Sequence, residues 1–231
     1  MRPYVFVYAR SDSERLPAKV LMTLAGRTLI DTVLDRAARV GARNRILLTS
    51  TRSVDDVLSR HVESQGIPVI RGHATDLVHR TLSALVETGA THFLRVNGDS
   101  PLFAPELARY ALPLIADADM VSNLIVRRFP YGVSVEWVAA NTYVKLADDA
   151  QPSEREHVTQ HLYRHLRTLK HVSLEQQRDD SGLKLTLDTL DDHRRLDALF
   201  AGKDPSATSY WQLHDMPPPQ PEAHAGRLNT P

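Results

Sequence analysis

Short apolar runs rich in β-branched and aromatic residues alternate along this chain with amphipathic helical stretches, and that alternation limits the fold more than any other feature. It is the pattern of βαβ units, in which helices cover both faces of a parallel sheet. Residues 4–8, 45–49, 68–70, 92–96 and 120–122 read as strands. Between them Leu29, Ile30, Val33, Leu34, Ala37 and Ala38 form a helical stripe, opened by Thr28 as N-cap and closed by Gly41. Residues 53–66 and 75–89 repeat the arrangement, and Pro105 stands at a first helical position before Leu107, Ala111 and Leu114.

The pattern changes after Asn123. Residues 132–138 alternate in strand fashion, Ser153-Glu154-Arg155-Glu156 reads as a capping box before a helix, and 183–187 reads as another strand. The expected fold class is α/β, a three-layer sandwich with a mostly parallel central sheet plus a small antiparallel lobe. Residues 1–213 form its domain. From His214 onward the proline-rich composition cannot build core, so 214–231 is expected to be a disordered tail or linker.

With 42% hydrophobic and 24% charged residues, a chain of 231 residues buries one sizeable core. Lys plus Arg equal Asp plus Glu at 28 each, so no global field draws the protein to nucleic acid or to an anionic membrane. Any anionic ligand must be held by local charge. The absence of cysteine excludes a disulfide framework, a thiolate nucleophile and Cys-based zinc sites. The N-terminal apolar run is too short for a signal peptide and no later run approaches a membrane span, which makes the cytosol the default location.

The first strand runs into the polar loop Ala9-Arg10-Ser11-Asp12-Ser13-Glu14-Arg15-Leu16-Pro17-Ala18-Lys19. Three cations at the carboxyl end of a strand in a doubly wound sheet point to a polyanion, since ligands of such sheets sit there. Arg forks match phosphate oxygens, Lys acts as a point charge, and the loop's N–H groups add donors. Taken singly, each cation reads as a solvated surface charge. The loop carries neither a Walker A sequence nor Gly-x-Gly-x-x-Gly.

Two acids follow strand-like runs, Asp99 after 93–98 and Asp188 after 183–187. Mg²⁺ takes one or two carboxylates, keeps waters and binds substrate phosphates, a role these two acids could share. The competing reading of Asp188 is helix initiation, and that of Asp99 is a local turn acid.

The loop 9–21, taken with Arg71-Gly72, Asp76, Arg80, Asn97-Gly98-Asp99-Ser100-Pro101-Leu102, Gly132-Val133-Ser134-Val135-Glu136, Glu154-Arg155-Glu156-His157-Val158-Thr159 and Leu187-Asp188-Thr189, resembles the cytidylyltransferase family. That family includes spore-coat polysaccharide proteins of the SpsF type and the CMP-KDO and CMP-sialic acid synthetases. The resemblance spans roughly residues 3–200 of the printed sequence. It implies a GT-A-like fold, CTP and an acidic sugar as substrates, Mg²⁺ as cofactor and a homodimer. It implies catalytic roles for Arg10, Lys19, Asp99 and Asp188, the last two as metal ligands, and nucleotide contacts from Ala9, Arg10, Ser11, Ser13, Arg15, Lys19, Arg71, Arg80 and Asn97. Glu136, Glu156 and His157 fall on the acceptor side, with His157 either assisting the attacking hydroxyl or binding the substrate carboxylate. Ala18 stands where relatives usually carry glycine, and Ala104 and Ser134 where acids are frequent.

The expected reaction transfers CMP from CTP to a 2-keto acid sugar with release of pyrophosphate. Alternatives are a sugar-1-phosphate nucleotidyltransferase using another nucleotide, a GT-A glycosyltransferase, and a binding module that has lost catalysis.

Overall fold

A computed structural model describes residues 1–42, 44–214, 218 and 220–226. The strands are β1 (Pro3–Tyr8), β2 (Thr23–Leu24), β3 (Arg27–Thr28), β4 (Asn44–Ser50), β5 (Val69–Gly72), β6 (His92–Asn97), β7 (Met120–Ser122), β8 (Glu136–Ala139), β9 (His171–Glu175) and β10 (Glu222–Gly226). The helices are α1 (Leu29–Ala38), α2 (Asp56–Glu63), α3 (Leu77–Thr88), α4 (Pro105–Ala111), α5 (Ala140–Leu146), α6 (Gln160–Tyr163), α7 (Leu190–Leu199) and α8 (Tyr210–Leu213).

Eight strands form one sheet in the order β10-β9-β7-β8-β6-β1-β4-β5, and β2 with β3 forms a separate antiparallel pair. β6, β1, β4 and β5 are parallel neighbours, with Phe6 opposite Ile46 and Val7 opposite Val96. β8 runs antiparallel between β6 and β7. The apolar runs are nearly continuous because both faces of the sheet are buried. Val5 and Val7 point into the core shared with α1, α2 and α4, whereas Phe6 and Tyr8 point into the core shared with α3, α5 and α6. The three-layer α/β expectation is what the chain adopts.

Local chemistry sets the helix ends. Thr28 Oγ1 accepts from the Asp31 amide at 3.2 Å and opens α1, while Asp76 caps α3 by accepting from the His79 amide at 2.8 Å. Pro105 occupies the first turn of α4 as expected.

Three expectations for the second half change. Only Glu136–Ala139 of the 132–138 run joins the sheet. Ahead of it the Asn123 side chain donates to Val133 O and accepts from Val135 N, taking the main-chain groups a neighbouring strand would have used. The box expected over Ser153–Glu156 is shifted, since Gln151 N donates to Glu154 Oε2 at 2.9 Å and Glu156 is left exposed. Residues 183–187 make only a bridge from Lys184 to Tyr131, with Leu185 and Leu187 turned into the core. Within the stretch read as a tail, β10 pairs antiparallel with β9. Residues 215–217, 219 and 227–231 lie outside the described residues.

Candidate active site

The carboxyl ends of β1, β4, β5 and β6 open into one cleft, the place a sheet of this topology offers a ligand. Gly98 lets β6 approach β1 there, because a Cβ on it would stand 2.6 Å from Ala9 Cβ. The loop leaving β1 folds back on itself through Ala18 N donating to Ser11 O at 2.7 Å. Ser11 N donates in turn to Asp55 Oδ1 at 2.7 Å, and Asp55, fully buried, also accepts from the Ser50 hydroxyl. Asp55 thereby ties the loop to the end of β4. Sequence reasoning missed it, since nothing local marks an acid whose partners lie on two other segments.

Ala18 adopts a left-handed conformation with φ 54°, the geometry that glycine supplies without steric cost. The turn aims Lys19 inward, where its Nζ lies 3.0 Å from Asp99 Oδ2 and 3.0 Å from Asp188 Oδ1. Arg15 Nη2 reaches the same Asp188 oxygen at 3.0 Å, although its side chain is mostly exposed. Leu187 N donates to Asp99 O at 2.9 Å and locks the two acidic segments together. Burial pushes the Asp188 carboxyl up, but the Lys19 ammonium, the Thr186 hydroxyl and the Arg15 guanidinium outweigh it and hold it below the usual carboxylate range. Asp188 also precedes α7, but Thr189 is the residue that caps that helix.

Asp99 and Asp188 converge on one cationic point at the cleft floor, a donor set that suits a divalent cation completed by phosphate oxygens and water. Among the described residues no cluster of three or more His, Asp or Glu could hold a metal by itself. His157, His161 and His165 do not converge: His157 is exposed, His161 packs edge-on against Tyr143 at 5.2 Å, and His165 faces Asp149 at 3.4 Å.

Two compartments adjoin in the cleft, sharing Arg95, Asn97, Tyr131 and His157 in their walls. The larger, about 660 Å³, is lined by Ala9, Arg10, Ser13, Arg15, Lys19, Arg80 and Asn97, among others. Arg10 Nη1 donates to Ala74 O at 2.8 Å and Arg80 Nη2 to the same oxygen at 2.9 Å. Burial and the adjacent Arg10 charge push the Arg80 guanidinium down to about 10, and its buried Nη1 has no hydrogen-bond partner. Helical spacing would allow Arg80 to pair with Asp76 on the surface of α3, and that pair does not form. Arg80 is fully buried, and Asp76 pairs with Arg155 at 2.8 Å. Arg71 does not line the cleft: its guanidinium holds Ser50 O and Arg52 O at 2.9 Å each and pairs with Asp56 at 2.7 Å.

The smaller compartment, about 310 Å³, is lined by Arg95, Asn97, Arg127, Ser134, Glu136 and His157 with several hydroxyl side chains. Glu136 lies beneath it, only 1% exposed, paired with Arg95 and accepting from Thr159 at 2.8 Å and Tyr163 at 2.7 Å. Burial and this carboxylate push the Tyr163 phenol up, which keeps it a donor. Glu156 lines the larger compartment and not this one, whereas His157 borders both. Ala104 sits in the core, away from either wall, while Ser134 is on the wall itself.

A parallel-sheet crevice with a cationic loop, two converging carboxylates and a second polar compartment has the charge and room for a nucleotide beside a second polar ligand, as in the class of nucleotidyltransferases. Residues 4–207 match the sequence profile of the cytidylyltransferase family, and the chain belongs to that family. It is 27% identical over 214 residues to the spore coat polysaccharide biosynthesis protein SpsF of Bacillus subtilis, covering 88% of this chain and 89% of that one. A cytidylyltransferase from Leptospira borgpetersenii superposes with a TM-score of 0.86 at 26% identity, covering 93% of each chain. The 3-deoxy-manno-octulosonate cytidylyltransferase of Mesorhizobium japonicum is 31% identical over 124 residues, 51% of this chain and 50% of that enzyme. No helix among the described residues is long and apolar enough to cross a membrane.

Proposed function

We propose that this chain transfers the cytidylyl group of CTP to a hydroxyl of an acidic 2-keto sugar and releases pyrophosphate, in surface polysaccharide or glycoconjugate synthesis. The observation that carries it is Lys19, held between Asp99 and Asp188 on the larger compartment, whose wall shares Asn97 and His157 with the smaller one. The nucleotide occupies the larger compartment with its phosphates on Arg10, Arg15, Lys19 and the loop amide of Ser13, whereas the Ser11 amide is held by Asp55 and keeps the loop in place. Arg80 Nη1, buried without a partner, is a donor for the base carbonyl, and Asn97 supplies a second polar edge. Arg71 has no place in this contact set. The family membership, and a relative named for 3-deoxy-manno-octulosonate, support the choice of base and acceptor.

The acceptor hydroxyl in the smaller compartment attacks the α-phosphorus, the bond from that phosphorus to the β-phosphate bridging oxygen breaks, and pyrophosphate leaves. His157 borders both compartments and takes the hydroxyl proton. Lys19 and Arg10 stabilise charge on the α-phosphate and leaving group, and the walls align the reactants. Asp99 and Asp188 would hold Mg²⁺, which when bound would neutralise phosphate charge. Buried Glu136 acts by fixing Arg95, Thr159 and Tyr163, while Glu156 borders the nucleotide. Homodimer assembly and a cytoplasmic location belong to the same proposal, and light scattering of the purified chain tests the former.

The test is initial-rate pyrophosphate release with CTP, UTP, GTP and ATP, each with and without Mg²⁺, over a panel of 2-keto acid sugars. Dependence on CTP, Mg²⁺ and an acid acceptor supports the reaction. Equal rates with another nucleotide move the chain to the sugar-1-phosphate nucleotidyltransferases.

A further inference from the structure

Among the described residues, the permanently charged side chains of the cleft are partnered, with one exception. Arg10 holds Ala74 O, Arg15 and Lys19 hold Asp188, and Arg52 pairs with Asp12. Arg80 holds the His73 and Ala74 carbonyls, and Arg95 pairs with Glu136. Among the described residues lining the two compartments, Arg127 is the permanent cation with neither an acid nor a carbonyl partner. Its guanidinium stands 5.5 Å from the centroid of the Tyr131 ring. An aromatic face orients a guanidinium without cancelling its charge, and leaves its fork of donors open.

The backbone beside Arg127 is anchored. Asp180 N donates to Arg128 O at 2.7 Å, Phe129 is buried, and Tyr131 N donates to Leu183 O at 2.8 Å. The Tyr131 ring under the guanidinium borders both compartments. Arg95, the other cation on the smaller compartment's wall, has its charge met by Glu136 beneath it.

We infer that Arg127 receives the carboxylate of the acceptor and selects acidic over neutral acceptors. The assignment rests on the acid-acceptor reaction proposed above and adds the residue that reads the acid. A carboxylate in the smaller compartment would find there one uncommitted planar donor fork, which can bind it through two parallel N–H···O bonds. His157 is then left for the hydroxyl proton.

Wild type, Arg127→Gln and Arg127→Lys are compared with CTP and Mg²⁺ on 3-deoxy-manno-octulosonate and N-acetylneuraminate, each as free acid and methyl ester. Both acids are also titrated calorimetrically in the presence of a non-hydrolysable CTP analogue. Arg127→Gln is expected to raise the acceptor KM and weaken acid binding about 10- to 100-fold, the size of a lost charged hydrogen-bond pair. CTP KM and kcat stay within about 2-fold, and Arg127→Lys recovers part of the loss because charge returns without the fork. Esterification costs wild type as much as the Gln variant loses on the acid, and costs that variant nothing further. Arg127 is exposed, so the variants are expected to melt with wild type.

Unchanged acceptor KM and acid affinity in Arg127→Gln, with wild type still preferring acid to ester, overturns this assignment and leaves the proposed reaction standing. Equal use of acid and ester by wild type overturns the acidic-acceptor reaction and the assignment with it. Failure of wild type to bind either acid also overturns the assignment.

Discussion

Lys19 Nζ lies 3.0 Å from Asp188 Oδ1, a contact that spans 169 residues of sequence and joins the first loop of the sheet to the segment before α7. Both side chains are less than 10% exposed, at 9% and 8%, so removing either takes from a buried charge its buried partner and leaves Lys19 only Asp99, or Asp188 only the more exposed Arg15 and Lys184. Lys19→Met and Asp188→Asn are each expected to lower kcat by at least ~10²-fold. The double variant should lose little more than the worse single one, because the residues act as a unit. Pyrophosphate release rates check this, and fully additive losses would mean the pair is not functionally coupled.

Arg71 separates bracing from binding. Its guanidinium holds the main chain after β4, so Arg71→Ala is expected to lower stability by about 1–2 kcal/mol and leave the CTP KM within about 2-fold. Chemical denaturation and steady-state kinetics read the two quantities. A large rise in CTP KM at unchanged stability would return Arg71 to the nucleotide.

Ala18→Gly is expected to stabilise the protein. A non-glycine residue at φ 54° carries left-handed strain of roughly 1–2 kcal/mol, partly offset by the greater unfolded freedom of glycine. The net gain of about 0.5–1 kcal/mol corresponds to a rise of about 1–4 °C in Tm. A lower Tm, read by scanning calorimetry, would contradict the left-handed turn before Lys19.

His161 makes stability acid-sensitive. Burial pushes its imidazole down to about 4, Glu154 opposes this, and Arg164, His165 and Arg155 add to it; neither ring nitrogen has a hydrogen-bond partner. The unfolded side chain titrates near the ordinary ~6.5. Above that pH both states are neutral and the contribution is fully present. As pH falls from about 6.5 toward 4 the unfolded chain binds a proton the native state refuses, so roughly 2–3 kcal/mol is lost across that window. In His161→Leu this component of the decline should vanish from urea midpoints measured between those pH values, and an identical slope in wild type and variant would refute it.

The first half of the chain was legible because local rules and tertiary placement agree there. The apolar runs of β1, β4 and β6 are buried on both faces, Thr28 and Pro105 start the helices they were expected to start, and the cations after β1 gather around the cleft. The second half was less legible where a side chain replaces a strand. Asn123 satisfies Val133 and Val135, which an alternating pattern cannot reveal, and 183–187 alternates because Leu185 and Leu187 enter the core from a segment that makes only one bridge. β9 and α5 were not anticipated as separate elements. In the site, residue type did not distinguish Arg71 from Arg80, because which arginine turns inward depends on the carbonyls each finds. Asp55 and Arg95 were missed for the same reason, as their partners come from distant segments, and Arg127 was missed because an exposed cation beside a nearby ring carries no mark in the sequence.

The most direct test is to follow CTP labelled at the α-phosphorus through a single turnover with Mg²⁺ and 3-deoxy-manno-octulosonate. The expected result is label in a CMP-sugar formed one-for-one with unlabelled pyrophosphate, and neither product in Lys19→Met. Label left in CTP, recovered as free CMP, or carried into a CDP-linked product would contradict transfer of the cytidylyl group to the acceptor.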